Sequence, residues 1–127
     1  MLTYPQNLLV RTYEIAFAYD VLLNGGGPGI ITMPRLPIIP ANAVYKECFF
    51  YCTRNTVNVH DSAWHLETAV EILFAITNDM LAGQVYQTFN DQSPRHISDG
   101  SPLQMQFVGN KYTDGAGTFF IRYSTSS

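Results

Sequence analysis

The residues best equipped for chemistry crowd into one short stretch: His60, Asp61, Ser62, His65 and Glu67. A histidine beside a carboxylate and a hydroxyl can activate a nucleophile, and two histidines with a carboxylate can hold a metal. The spacing suits neither. His60 and His65 are not four apart, as two ligands on one helical face must be, and no Gly-x-Ser-x-Gly turn surrounds Ser62. A polar loop flanking Trp64 is the better reading; an exposed Trp64 would instead anchor a partner or stack on a sugar. Glu67 and Glu71 come nearest to an acid–base pair, yet along a strand they stand ~13 Å apart, beyond both glycosidase separations. His96, near Arg95 and Asp99, has the makings of a surface ion pair and nothing more. No catalytic residue, no cofactor and no metal is therefore expected, and the protein is not expected to be an enzyme.

Two further features imitate sites. Asn24-Gly25-Gly26-Gly27-Pro28-Gly29 lacks the G-x-G-x-x-G spacing of a phosphate loop, and it leads into a β-branched run rather than a helix N-terminus, so it reads as a turn. Cys48 and Cys52 share a face if their segment is a strand, but at ~13 Å they are too far apart for a disulfide and read as buried thiols.

Composition narrows the class further. The 127 residues suffice for one domain with its own core. Hydrophobic residues are 46% of the chain and charged residues 13%, which excludes disorder and leaves a surface that is polar without being charged. Eight Tyr and eight Phe supply the stiff contact area of β cores and interface centres. A net charge of −3 with no basic run argues against nucleic acid and anionic lipid as partners. No apolar stretch approaches the ~20 residues of a membrane span, and Met1-Leu2-Thr3-Tyr4-Pro5 lacks the regions of a signal peptide, so synthesis in a cytoplasm is expected.

The elements that would position any site are strands. After an N-terminal arm of residues 1–9, residues 11–20 alternate, with Tyr13, Ile15, Phe17 and Tyr19 opposite Thr12, Glu14, Ala16 and Ala18. The glycine run then predicts a hairpin to Ile30-Ile31-Thr32-Met33. Pro34, Pro37 and Pro40 make residues 34–40 an extended connector. Residues 44–53 resume as a strand with Val44, Cys48, Phe50 and Cys52 on one face and Tyr45, Phe49 and Tyr51 on the other. One face is expected to meet the core, the other a neighbouring element or subunit. Residues 66–77 fit a helix through Leu66, Val70, Leu73 and Thr77, but six alternate positions favour one strand. Residues 78–83 read as a helical turn closed by Gly83, residues 91–102 as a loop, and residues 103–107 and 119–123 as a closing hairpin. The expected fold is all-β, an antiparallel β-sandwich or jelly roll over residues 10–127 with an extended N-terminal arm.

From Tyr19 onward several short motifs fall in a fixed order: Tyr19-Asp20-Val21, Gly25-Gly26, Ile31-Thr32-Met33-Pro34 and Ile39-Pro40-Ala41-Asn42-Ala43-Val44. They continue through the alternation of residues 69–76, Asp79-Met80-Leu81-Ala82, and Thr113-Asp114-Gly115-Ala116-Gly117 leading to Arg122-Tyr123. In this order, over roughly residues 11–123, the chain resembles a family of small structural proteins of tailed bacteriophages. It departs from that pattern at Cys48, Cys52 and residues 59–65. The resemblance implies a β-sandwich of the virion, made in the host cytoplasm. The leading form is a head decoration (cement) protein on the capsid exterior, bound across subunits of the major capsid protein and self-associated as a homotrimer. The alternative is a tail or head appendage that binds a host-surface glycan or receptor, with Trp64 and the tyrosines as stacking platforms. The capsid or subunit contacts would lie in the arm, with Leu2, Tyr4 and Leu8, on the connector, with Leu36, Ile38 and Ile39, and at Tyr45, Phe49, Tyr51 and Trp64. The three connector side chains serve equally well as a plug for the end of the sandwich.

Overall fold

The computed structural model describes residues 10–31, 36, 38–57, 63–68, 72–76, 79–89, 96–109 and 111–126. In chain order these form β1 (Val10–Asp20), one helical turn α1 (Val21–Asn24), β2 (Gly29–Ile31), β3 (Val44–Val57), β4 (Ala63–Glu67), β5 (Ile72–Ile76), β6 (Val85–Phe89), β7 (His96–Ile97), β8 (Gln104–Val108) and β9 (Asp114–Ser126). The strands make two antiparallel sheets. The first runs β1-β9-β3-β6 with β7 also on β3, and the second runs β2-β8-β4-β5. Leaving the two-residue β7 aside, strands pair first with last and then inward: β1 with β9, β2 with β8, β3 with β6, β4 with β5. Such a ribbon, rolled until β9 meets β3 and β8 meets β4, is the jelly roll expected from the sequence.

The clean alternation of β1 appears as a burial gradient: Tyr19 is buried, Ile15 and Phe17 are half-buried, and Ala16 and Ala18 are exposed. Between the sheets lies an aromatic core. Trp64 of β4 is fully buried, with the rings of Tyr19, Phe50, Phe107, Tyr112 and Phe119 at centroid distances of 5.3 to 6.0 Å. Offset and edge-on aromatic pairs of this kind add to the area that the rings bury.

Four local expectations are overturned by the way the strands pair and pack. The glycine run does not close a hairpin. Asp20 ends β1 and caps α1, its carboxylate accepting from Leu22 N–H at 2.8 Å, and the chain crosses to the second sheet, where β2 pairs with β8. Residues 66–77 are not one strand: β4 and β5 are antiparallel, and the chain reverses between Glu67 and Ile72. A bulge on β5 there explains why the adjacent Leu73 and Phe74 are both buried. Asp79, Met80 and Leu81 are not helical. Met80 inserts into the core because Thr56 Oγ1 accepts its N–H at 2.7 Å, and Ala82 and Gly83 make a turn. Finally, β8 and β9 belong to different sheets, so the segment between them is a crossover and not a closing hairpin, and Gly115 and Gly117 lie within β9 itself.

The faces of β3 also differ from strict alternation. Tyr45 opposes Tyr123 and Glu47 opposes Arg122, so Lys46 is an extra residue. This bulge moves Tyr45 to the core face, where it is buried beside Cys48, Phe50 and Cys52, and leaves Phe49 and Tyr51 on the outer face. Both thiols are free and buried as expected. Burial pushes the Cys48 thiol up to about 12 and raises that of Cys52 as well. At pH 8 the Cys48 thiolate fraction is then about a thousandfold below that of an ordinary cysteine. A disulfide reagent at pH 8 is expected to leave Cys48 unmodified in the native protein and to titrate two thiols per chain only in denaturant.

Candidate functional site

Residues directly opposed in antiparallel strands share a face, so the register of β1, β9 and β3 reads the outer surface of the first sheet as rows. One row is Ala18–Thr118–Tyr51, extended to Val85 on β6. The next is Ala16–Phe120–Phe49, extended to Gln87. Tyr51 and Val85 are 40% and 62% exposed, Phe49 and Phe120 are half-buried, and the last two rings lie 5.8 Å apart. The two alanines leave low ground beside Phe120.

An ionic row bounds this aromatic centre on either side. Toward the start of β1 lies Glu14–Arg122–Glu47, with Arg122 bridging Glu14 at 3.2 Å and Glu47 at 2.8 Å. Its guanidinium also sits 5.9 Å from the centroid of Phe49, within cation–π range. At the other end Arg54 forks onto Asp20, at 2.6 and 3.2 Å, and donates through Nε to Asp114 at 2.5 Å. A second bulge, at Thr53, turns Arg54 outward; without it Arg54 would share the core face of Cys52. Arg54 and Asp20 then flank Ala116, whose small side chain lets the guanidinium reach across β9.

These bonds from Arg54 hold the carboxyls of Asp20 and Asp114 below the usual range. A depressed carboxyl contributes stability above its unfolded pKa, near 4, and loses it as pH falls through the lower folded value. Arg54→Met is therefore expected to be less stable than the wild type at pH 7. The gap should narrow as the solution is acidified below about pH 4. Urea midpoints at pH 7, 4 and 3 check this, and a constant gap would refute it.

The candidate contacts from sequence divide sharply. Phe49 and Tyr51 lie at the centre of the face just described. Ile38 is 62% exposed, but Ile39 is buried beside Ser98, whose Oγ donates to its carbonyl at 3.1 Å, and Leu36 is half-buried against the core. Of the three connector candidates, Ile39 thus plugs the sandwich and Ile38 is the one that is exposed. Tyr45 and Trp64 are buried and are not available as surface contacts, Tyr45 because of the Lys46 bulge and Trp64 because its strand turns it between the sheets. Leu2, Tyr4 and Leu8 lie outside the described residues, as do His60, Asp61, Ser62 and Glu71. His65 and Glu67 stand on the outer side of β4, where Glu67 accepts from Gln104 Nε2 at 3.2 Å. Among the described residues, no group of three or more His, Cys, Asp or Glu could hold a metal ion.

Phe120, Arg122 and Val85 were not singled out from sequence. The alternation of β9 marked Phe120 as facing away from Phe119, but its neighbours across the sheet belong to strands over sixty residues earlier. No family model matches the sequence, and no curated protein matches it. Among solved structures, a chain of the disulfide-linked pili formed by Bacillus endospore appendages is similar at 9% sequence identity and a TM-score of 0.48, covering 99% of this chain and 97% of that one.

Proposed function

We propose that the chain is a structural protein that docks the outer face of its first sheet on a protein lattice, and that this lattice is the head of a tailed bacteriophage. In this reading it is a decoration protein. It is made in the host cytoplasm and added to the capsid exterior across neighbouring subunits of the major capsid protein, with self-association as a trimer. It performs no catalysis and binds neither nucleic acid nor membrane. The observation that carries the reading is the Phe49–Phe120 centre with Tyr51 and Val85, held between two rows of internally paired charges. Aromatic groups at the centre and charge at the rim are the anatomy of protein interfaces, where a few central residues supply most of the binding energy. The order of the motifs from Tyr19 to Tyr123 supports the choice of a phage virion.

A protein bound across a subunit boundary raises the free energy needed to separate the subunits, and three linked copies multiply weak contacts through avidity. The glycan-binding alternative loses Trp64 as a platform and keeps only surface tyrosines such as Tyr13, stacked on Tyr123 at 5.5 Å. Co-sedimentation with expanded phage heads tests the proposal. The wild type is expected to bind, and Phe49→Ser with Phe120→Ser to weaken binding by about 100-fold, on the scale of two hot-spot residues. Failure of the wild type to bind, or undiminished binding by the double variant, would overturn it.

A further inference from the structure

A sheet edge is a place where one chain can add to another, and the edges of this sandwich are unequal. Among the described residues, β2 has three residues and β5 and β6 have five each, and register shifts interrupt the ladders of β5 on β4 and of β6 on β3. β1 has eleven residues and no proline, runs opposite β9 from Val10 and Ser126 to Asp20 and Ala116 without a shift, and among the described residues pairs with β9 alone. We propose that two copies of the chain join edge to edge along β1, antiparallel about a two-fold axis at Ile15, so that their first sheets become one.

The length of β1 identifies the occupant. Pairing with a β6 edge would cover five of its eleven positions, whereas a second β1 covers all of them. A two-fold contact is isologous, so with Ile15 on the axis Tyr13 faces the partner's Phe17, Glu14 the partner's Ala16, and Thr12 the partner's Ala18. No like charges stand directly opposite one another, and Glu14 is already held by Arg122 on its own sheet.

The inner side chains of β1 are left open in a single copy. Tyr13 is 42% exposed and Ile15 and Phe17 are half-buried, although Ile121 and Phe119 beside them on β9 are fully buried. The cause is the second sheet: β5 packs near β6, which leaves the three-residue β2 at the β1 margin, too short to cover it. Joining two copies closes this gap. Phe17 stacks on Phe119 at 5.2 Å and Tyr13 on Tyr123 at 5.5 Å, so setting Phe17 against the partner's Tyr13 builds a row of four rings, and the axis generates a second row.

The backbone is oriented for the same contact. Asn24 Oδ1 accepts the N–H of Asp20 at 3.1 Å, so this N–H points away from β9, and by the two-residue period of a strand those of Thr12, Glu14, Ala16 and Ala18 do too. Glu14 and the partner's Ala16 then exchange both backbone hydrogen bonds. The Phe49 and Phe120 rings of the two copies end on one side of the joined sheet. The contact is two-fold, so it adds to a three-fold association and does not supply one.

Light scattering and sedimentation of the full chain test the joint. The wild type is expected to have the mass of an even number of chains. Ala16→Pro removes an outward N–H that the β9 ladder does not use, and Tyr13→Lys puts a charge where the rings meet. Each should halve the mass and raise the dissociation constant about 30-fold, the scale of one hot-spot residue, with far-UV circular dichroism confirming that the variant is folded. The register is tested separately by diamide oxidation. Ile15→Cys, the one position that faces itself, should give a covalent dimer at least tenfold faster than Ala18→Cys, while Cys48 and Cys52 stay buried. A monomeric or odd-numbered wild type, a mass that neither folded variant changes, or equal crosslinking at positions 15 and 18 would overturn the proposal.

Discussion

Trp64→Ala is expected to cost about 3–5 kcal/mol of folding free energy, the range for emptying a buried aromatic site. Domains of this size hold about 5–15 kcal/mol in total, so the variant should sit at or beyond the edge of folding at 25 °C. The magnitude follows from position. Trp64 meets Tyr19 of β1, Phe50 of β3, Phe107 of β8 and Phe119 of β9, so one side chain joins both sheets. No neighbour can close the space without abandoning its own partners. Trp64→Phe should cost far less, because a ring remains and the lost indole N–H has no acceptor among the described residues. Urea unfolding followed by circular dichroism, rather than by the emission of the single tryptophan, separates the two. Equal losses would mean that size at this position is not what matters.

Gly117→Ala is expected to cost about 2 kcal/mol and to lower the melting temperature by roughly 5–10 °C, although it adds a single methyl group. Gly117 lies on β9 between Tyr19 of β1 and Cys52 of β3. A Cβ there would stand 2.2 Å from Phe50 Cζ and 2.4 Å from the carbonyl oxygen of Tyr51. The ring could swing only into the packed core, and the carbonyl belongs to the backbone of the neighbouring strand. Gly83→Ala makes a useful contrast, since a Cβ at that position meets nothing within 4 Å and any cost comes from its φ of +88° alone. Calorimetry of both variants checks the claim; a smaller loss at position 117 than at position 83 would contradict it.

These two residues also mark where sequence reasoning stops. The alternation of Tyr13, Ile15, Phe17 and Tyr19 showed β1 plainly, because an edge strand over a core is governed by its own period. The paired faces of β3 were legible too, down to Phe49 and Tyr51 pointing away from Phe50. Tyr45 was misplaced because a bulge adds one residue without a sign in local composition. Gly117 read as part of a turn because the reason for it, the ring of Phe50, lies 67 positions earlier. Trp64 looked accessible since its neighbours His60, Asp61, Ser62 and His65 are polar, whereas its burial depends on β5 and β8 flanking β4. The candidate face was half visible for the same reason: Phe49 and Tyr51 stood out in one strand, while Phe120 and Val85 joined them only through register.

The place of β9 in the first sheet bears on how the chain must be made. β9 lies between β1 and β3 and is the last of the three to leave the ribosome, so while synthesis continues β1 and β3 have no strand to separate and join them. Synthesis at about 5–20 residues per second leaves their aromatic faces unpaired for several seconds. Closing contacts over a hundred residues apart is itself slow. Yield in the cell should therefore respond to chaperone supply and to translation speed more than the stability of the finished sandwich would suggest.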